Sequence, residues 1–147
     1  MRADEIDLSI IRLLWDGRKP YSEIAKELKL TTNTVRARVN RLINDGILQI
    51  IGLVEPDAIQ KHSSAIVFFK IEPNKINEAL HKIGALKNVV TAASLSSCYD
   101  IMALIMLNED YPHSTFIHKE LINIPGVTSV ETAFPDNAID WQLRYVL

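Results

Sequence analysis

A chain of 147 residues can hold one ordinary domain or two small ones, and a hydrophobic content of 48% supports packed cores and argues against disorder. The longest uninterrupted apolar run, residues 101–107, is too short to span a membrane. Acidic residues near the start argue against a signal peptide, and the single cysteine, Cys98, excludes an internal disulfide and fits a reducing compartment. The composition therefore predicts a cytoplasmic protein with no membrane partner.

The formal net charge of −2 is unevenly distributed along the chain. Between Arg18 and Arg41, seven Lys and Arg residues stand against two acids, a local net charge of +5, whereas residues 56–147 carry a net charge of −3. At physiological ionic strength, exposed charges more than about 8 Å apart are largely screened. The local surplus rather than the total therefore decides the affinity for phosphate, and DNA is a compatible partner.

The first third of the chain has the apolar spacing of helices. A helix is predicted to open at Asp4 and to end at Asp16-Gly17-Arg18, with Gly17 suited to a left-handed C-cap. Its expected buried stripe is Ile6, Ile10, Leu13 and Leu14. The next two helices have buried stripes made of Tyr21, Ile24, Ala25 and Leu28, and of Val35, Val39 and Leu42.

The last two of these helices are joined by a very short turn, Lys29-Leu30-Thr31, and either Thr31 or Thr32 is suited to be the N-cap of the second. Two helices joined in this way make a helix-turn-helix, here over about residues 21–45, whose second helix can enter a DNA major groove. The face of that helix expected to be exposed has no acid before Asp45 and carries Asn33, Thr34, Arg36, Arg38, Asn40 and Arg41.

The residues predicted to contact DNA are Tyr21, Ser22, Thr32, Asn33, Thr34, Arg36, Arg38 and Arg41. Asn33 and Thr34 are predicted to reach base edges, the alternative being that they only favour helix initiation. The arginines spread over a wide arc, so Arg36 or Arg38 is predicted on a base edge and the others on phosphate, unless the face is simply solvated. Tyr21 and Ser22 could touch phosphate, although helix capping explains Ser22 equally well. The whole interpretation requires that these guanidinium groups are neither buried nor paired with carboxylates of the same chain.

The remainder of the chain predicts a second domain. Residues 47–54 form a β-rich run that acts as a wing beside DNA or as an arm to the next domain, and residues 55–64 are predicted to be a linker after a first domain of residues 1–54. Residues 65–147 then repeat the order strand, helix, strand. The predicted strands are 65–71, 89–96, 101–107 and 127–134. One predicted helix begins near Pro73 and carries an apolar stripe over residues 76–83, and the other spans residues 110–123. This pattern predicts a ferredoxin-like βαββαβ domain, so the fold class is α+β with a winged helix-turn-helix in front.

The predicted packing of this second domain leaves one sheet face uncovered. The side chains expected to face inward from its last helix are Phe116, Ile117, Leu121 and Ile124. The open face is expected to be too apolar for water, since it would carry Ala92, Ala93, Leu95, Met102, Leu104 and Met106. We therefore expect a homodimer through this domain. Residues 139–147 are predicted to be a fifth strand with Trp141 and Tyr145 on one face.

The order of these features resembles the Lrp/AsnC family of feast/famine transcription regulators over nearly the whole chain. The segments that carry the resemblance are Asp16-Gly17-Arg18, SEIAKELKL, TTNTVRARVNRLINDGIL, Tyr99-Asp100, and Ile124-Pro125-Gly126-Val127 leading into Thr132. The resemblance implies a C-terminal RAM-type effector and oligomerisation domain. It also implies a dimer whose two heads engage successive major grooves of double-stranded DNA, further assembly into octamers, and control by a small metabolite such as an amino acid.

The resemblance further implies an effector site at a loop with the pattern Gly-x-Tyr-Asp, where dimers meet. Tyr99 and Asp100 match it, but Ser97 occupies the glycine position, where a side chain restricts the backbone. Ser96 and Ser97 could instead hydrogen-bond a polar ligand. Asp100 either orients the ammonium group of an effector or caps the turn between two strands.

Two other functions fit the same architecture. Sirohaem decarboxylases share it, but a polycarboxylate macrocycle needs clustered Arg and His, and residues 65–147 contain Arg144 as their one arginine. A pure assembly module with a vestigial head is disfavoured by the basic helix. No cofactor or metal is predicted, because His113 and His118 are five positions apart and would not meet on a helix. The sequence thus predicts a DNA-binding regulator rather than an enzyme.

Overall fold

The computed structural model describes residues 3–15 and 17–146, with the side chains of residues 117 and 118 left out. The chain forms two compact units, Met1–Ile51 and Gly52–Leu147. Pro56 is buried and the first long strand begins at Ser63, so the segment predicted to be a linker over residues 55–64 belongs to the second unit. The prediction of a separate linker was wrong, because a polar composition did not prevent this stretch from packing.

In its described residues, the first unit contains three helices: α1 (Glu5–Leu13), α2 (Tyr21–Glu27) and α3 (Thr32–Asn44). Their buried core is made of Ile10, Leu14, Ile24, Ala25, Val35 and Val39. Ile6 is 40% exposed, so its predicted place in the core was wrong. The neighbouring Asp7 is completely buried instead. Gly17 has φ +68°, as expected for a left-handed residue after the helix, while Asp16 lies outside the described residues.

The turn between α2 and α3 is tight and includes one residue in an unusual conformation. Lys29 adopts φ 55°, the left-handed region that favours glycine, and the Leu30 amide donates to the Ala25 carbonyl at 2.8 Å. Thr31 is the N-cap of α3, because its Oγ1 accepts the Thr34 amide at 3.1 Å. The helix-turn-helix predicted from the apolar spacing is therefore confirmed, and Thr31 rather than Thr32 caps its second helix.

Residues 47–52 contain no strand, and only Leu53–Val54 forms one, β1. This strand pairs antiparallel with the last strand of the chain, Leu143–Arg144. This pairing fits the interpretation of residues 47–54 as an arm that leads to the next unit.

The second unit is built on a four-stranded antiparallel sheet. Its strands are β2 (Ser63–Ile71), β3 (Val89–Ser94), β4 (Ile101–Leu107) and β5 (Val127–Ala133), in the spatial order β3-β4-β2-β5. Two helices, α4 (Ile76–Gly84) and α5 (His113–Phe116), contribute Ala79, Ile83 and Phe116 to one core with the sheet. The predicted ferredoxin-like arrangement is confirmed. The last strand, β6 (Leu143–Arg144), joins β1 in a separate two-stranded sheet.

The predicted helix over residues 110–123 is shorter and irregular: α5 continues as a π-helix over Ile117–Leu121. Its start is delayed because the Asn108 Oδ1 accepts the amides of Asp110 and Tyr111, both at 3.0 Å, which holds a turn in front of Pro112. Leu121 and Ile124 are buried as predicted, and the Ile117 side chain lies outside the described part of the chain.

The face of the sheet opposite the helices is apolar and only partly covered. Ile66, Phe68, Met102 and Leu104 are half-buried on it. Ala92 was wrongly assigned to this face, because it pairs with Ala103 and packs on the helix side. Met106 is already fully buried within the chain.

The predicted fifth strand over residues 139–147 reduces to the two residues of β6. The segment is nevertheless attached at several points: the Trp141 Nε1 donates to the Ser64 Oγ at 2.7 Å, and the Tyr145 hydroxyl lies 3.3 Å from the His62 Nε2. Leu143 between them is buried.

Candidate DNA-binding surface

Helix α3 divides cleanly into an inner and an outer face. Val35, Val39 and Leu42 are completely buried, whereas Asn33, Ala37 and Asn40 are exposed on the opposite side. At about 100° per residue, Arg36 and Arg38 lie roughly 200° apart around the helix axis. Arg36 therefore flanks the outer face on one side, and Arg38 flanks it on the other with Arg41.

Arg36 is exposed, and its Nη1 donates to the Asn33 Oδ1 at 3.1 Å. This bond joins a guanidinium group to the amide of the residue one turn earlier, and it involves no carboxylate. Both side chains are therefore available at the surface. Arg36 meets the requirement for a DNA contact, because its guanidinium group is neither buried nor paired with a carboxylate.

Arg38 and Arg41 have a different environment, because both are paired with acids of α1. The Arg38 Nη1 donates to the Asp7 Oδ1 at 2.8 Å and to the Asp4 Oδ2 at 2.6 Å, and the Arg41 Nη2 donates to the Asp7 Oδ2. Asp7 is 0% exposed, while the side chains of Arg38 and Arg41 are 24% and 38% exposed. The two arginines thus satisfy a buried carboxylate.

Asp4 and Asp7 also cap α1 reciprocally. The Asp4 Oδ1 accepts the Asp7 amide at 2.8 Å, and the Asp7 Oδ2 accepts the Asp4 amide at 3.0 Å. Burial opposes ionisation of Asp7, but the hydrogen bonds from the Asp4 amide and Arg38, with the charge of Arg41, outweigh it and lower its pKa. The pKa of Asp4 is also lowered, mainly by its hydrogen bond with Arg38.

These ion pairs contradict one expectation drawn from the sequence. The exposed face of α3 was expected to be free of acids, but two carboxylates reach Arg38 and Arg41 from residues 31 to 34 positions earlier. The requirement of unpaired guanidinium groups is therefore not met by these two arginines, and only Arg36 satisfies it. Because Arg38 and Arg41 are paired with carboxylates, an absence of acids can no longer be used to assign them a DNA contact.

The remaining predicted contact residues lie on α2 and α3. Asn33, Thr34, Ala37, Arg38 and Arg41 line an open depression on α3. Tyr21 is half-buried and Ser22 exposed at the start of α2, whose N-cap is Pro20 without a side-chain cap, so capping does not explain Ser22. Thr32 is half-buried at the first position of α3. Ala37, Asp4 and Asp7 were not predicted; the outward position of Ala37, two residues after Val35, was the available signal.

The predicted effector residues lie in the loop between β3 and β4. The Asp100 Oδ2 accepts the Ile71 amide at 2.8 Å, and the Ser97 Oγ lies 3.2 Å from both the amide and the carbonyl of Tyr99. This bond joins Asp100 to the end of β2, which is a structural role but not a cap of the turn between β3 and β4. Ser96 and Ser97 are exposed.

Tyr99 is fixed by side chains on both sides. Its hydroxyl donates to Glu131, a bond that raises the pKa of Tyr99, and its ring packs on Phe68 with centroids 5.1 Å apart. Glu131 was not predicted, since it lies on β5 and far along the chain. Among the described residues, no group of three or more His, Cys, Asp or Glu is placed to hold a metal ion. Similarly, none of the described helices is long and apolar enough to cross a membrane.

A helix-turn-helix with a polar outer face on its second helix, ahead of a ferredoxin-like unit, defines a DNA-binding transcription regulator. Residues 4–49 match the family model described as winged helix-turn-helix DNA-binding. The chain is 32% identical to the HTH-type transcriptional regulator Ptr1 of Methanocaldococcus jannaschii over 142 residues, which cover 92% of this chain and 96% of that protein. It belongs to the Lrp/AsnC family of transcriptional regulators.

Solved structures share the architecture. AsnC of E. coli aligns with a TM-score of 0.73 and 20% identity over 94% of this chain and 95% of that one. A transcriptional regulator of Neisseria meningitidis in complex with L-methionine aligns with a TM-score of 0.70 and 18% identity over 99% and 96% of the two chains. At these identities the likeness concerns the fold. The relatives and neighbours are regulators, so the sirohaem decarboxylase alternative is not supported.

Proposed function

We propose that α3 reads DNA sequence through Asn33, Thr34 and Arg36. The observation that carries this assignment is the surface pairing of Arg36 with Asn33 at 3.1 Å, on the helix of the domain class that enters the major groove. An asparagine amide matches adenine, and an arginine fork matches guanine. The exposed Ala37 lies one turn beyond Asn33, and its small side chain leaves room for a base pair to approach. Tyr21, Ser22 and Thr32 are proposed to touch phosphate.

The test is selection of preferred duplexes from a random pool by the native chain, Arg36→Ala, Asn33→Ala and a control, Lys26→Ala. Lys26 is exposed on α2 and carries the same charge as Arg36. Loss of a bidentate base contact should weaken binding by about 1–3 kcal/mol and relax preference at one base pair. The control should leave the preferred sequence unchanged. Unchanged preference in both α3 variants would contradict the assignment.

The regulator is proposed to act as a homodimer through the open face of its sheet. Ile66, Phe68, Met102 and Leu104 are half-buried there, and an apolar face of this kind is stabilised by a second copy of itself. Two heads related by twofold symmetry would bind half-sites one or a few helical turns apart. Assembly of dimers into octamers is proposed from the family relationship.

An amino acid is proposed as the effector, bound at Ser96, Ser97, Tyr99 and Asp100. The neighbour from Neisseria meningitidis supports this class of ligand, since it was solved with L-methionine. Among the described residues, the positive φ values at non-glycine positions fall on Lys29, Lys61 and Asp140, so Ser97 has an ordinary backbone despite the side chain at the pattern's glycine position.

Calorimetric titration with a panel of amino acids tests the effector proposal. Asp100→Asn keeps an oxygen for the Ile71 amide but removes the charge that would face an ammonium group. We expect this variant to lose most of the affinity, and Asp110→Asn, which is exposed in another loop, to retain it. Equal affinities in the two variants would remove Asp100 from the site.

A further inference from the structure

Arg38 and Arg41 are held at one edge of the open depression on α3 by acids that lie outside it. Asp7 has no exposed surface, and the depression is lined by Asn33, Thr34, Ala37 and the two arginines. Asp7 is therefore not placed to touch a ligand there. An arginine has five N–H donors. The bonds to the acids use only Nη1 of Arg38 and Nη2 of Arg41. Further donors of both side chains are left for a second acceptor.

Two physical effects of the acids oppose each other. As negative charges near a DNA-binding helix, they should repel phosphate. As hydrogen-bond acceptors, they hold two long side chains that would otherwise lose rotamer freedom on contact, a loss worth roughly a factor of two to ten in affinity for each side chain. The charge of Asp7 is already balanced by hydrogen bonds from Asp4, Arg38 and Arg41, so its field beyond the cluster is weak. The ordering effect should therefore be the larger one.

We propose that Asp4 and Asp7 are positioning residues, which hold Arg38 and Arg41 in the orientation that contacts a phosphate of the DNA backbone. This inference rests on the proposed function of α3. Phosphate rather than a base is the ligand, because the acids of α1 hold both guanidinium groups on the side of α3 that faces α1. A guanidinium fork whose orientation is fixed matches the bidentate geometry of a phosphate group.

The direction in which Asp4→Asn changes the affinity for DNA distinguishes repulsion from positioning. Asp4→Asn preserves the N-cap of α1, because an asparagine oxygen accepts the Asp7 amide equally well, but it removes a charged partner of Arg38. Glu5→Gln removes the same charge from the next residue, which is exposed. If the acids act by repulsion, both changes should tighten DNA binding. If Asp4 positions Arg38, Asp4→Asn should weaken binding three- to tenfold while Glu5→Gln does not.

The measurement is fluorescence anisotropy with the full chain and a mixed-sequence duplex of about 40 base pairs, at salt concentrations from roughly 50 to 200 mM. Loss of one phosphate contact should reduce the slope of log K against log[salt] by about 0.9 in Asp4→Asn, and not in Glu5→Gln. Circular dichroism verifies that each variant is folded. Asp7→Asn is expected to weaken binding by tenfold or more, since it releases both arginines.

A double-mutant cycle then shows whether Asp4 acts through Arg38. In an Arg38→Ala background, Asp4→Asn should have no further effect on affinity or on the salt slope. An equal loss in both backgrounds, or tighter binding by Asp4→Asn, would overturn the inference. These outcomes are distinct from failure of the proposed function, which is tested by the sequence preference of Asn33→Ala and Arg36→Ala. A native chain without affinity for any duplex would remove both.

Discussion

Asp7 is a buried charged residue of the first unit, and it forms ion pairs with two arginines of α3. Its buried carboxylate accepts hydrogen bonds from the Asp4 amide and from Arg38 and Arg41, and it thereby fixes α3 against the first turn of α1. A carboxylate without exposed surface is tolerated only when such donors replace water. The contact between α3 and the rest of the first unit is therefore polar at this point, beside the apolar core.

Replacing Asp7 with Asn should destabilise the first unit by about 2 kcal/mol at neutral pH, since charged hydrogen bonds become neutral and two arginines lose their partner. Urea unfolding of the full chain, followed by the helical circular dichroism signal, measures the change. Glu5→Gln, at an exposed position, should stay within about 0.5 kcal/mol of the native chain. A difference of that small size for Asp7→Asn would mean that the ion pairs contribute little.

The same difference should depend on pH in a defined direction. The pKa values of Asp4 and Asp7 lie below the ordinary 3.8 in the folded chain, so their contribution is complete above that value and is lost as pH falls through the lower folded values. The stability gap between the native chain and Asp7→Asn should be constant above about pH 5 and should shrink below it. A gap that grows on acidification would contradict the sign of these shifts.

The roles of single residues in their own turns could be predicted from the sequence, whereas side-chain contacts between distant residues could not. Thr31 as an N-cap and Gly17 as a left-handed residue follow from the chemistry of their own turns. The pairing of Asp7 with Arg41 joins positions 34 apart, and helical periodicity carries no information about such a contact. The acids of α1 could be interpreted only as favourable to their own helix dipole.

At the scale of elements, the strands were predicted better than the connections. Strand β4 has its predicted bounds, because a continuous apolar run of seven residues flanked by polar ones has the length of a buried strand and is short for a helix. The segment before α5 was missed, because the side chain of Asn108 competes with the helix for the next amides. The final strand was overextended, since its apolar residues are fixed by single contacts rather than by a ladder.

One of those single contacts gives a test at this scale. Trp141→Phe keeps an aromatic ring but removes the donor to the buried Ser64 hydroxyl, and a buried polar group left without its partner costs about 1–3 kcal/mol. Tyr145→Phe removes only the hydroxyl that lies 3.3 Å from His62 at an exposed position, and should change stability by less than about 0.5 kcal/mol. Urea unfolding monitors both. Equal effects would show that the Trp141 bond is not a significant attachment.

For the whole molecule, the proposed dimer depends on the open sheet face. Leu104→Glu places a charge among Ile66, Phe68 and Met102, where a second copy would have to bury it. We expect light scattering to give at least twice the chain mass for the native protein, or eight times that mass if dimers assemble into octamers, and a single chain mass for this variant. Asn77→Glu, at an exposed position of α4, should remain dimeric. A native monomer would contradict the assignment of this face.

The pairing of β1 with β6 makes the beginning and the end of the second unit direct neighbours: Leu53 is opposite Arg144, and Val54 is opposite Leu143. A unit whose ends meet can be cut elsewhere and rejoined here, so it should accept circular permutation. For the same reason, a graft of a different head onto this second unit has to retain Leu53 and Val54. The first and the last strand of the second unit are therefore one structural element.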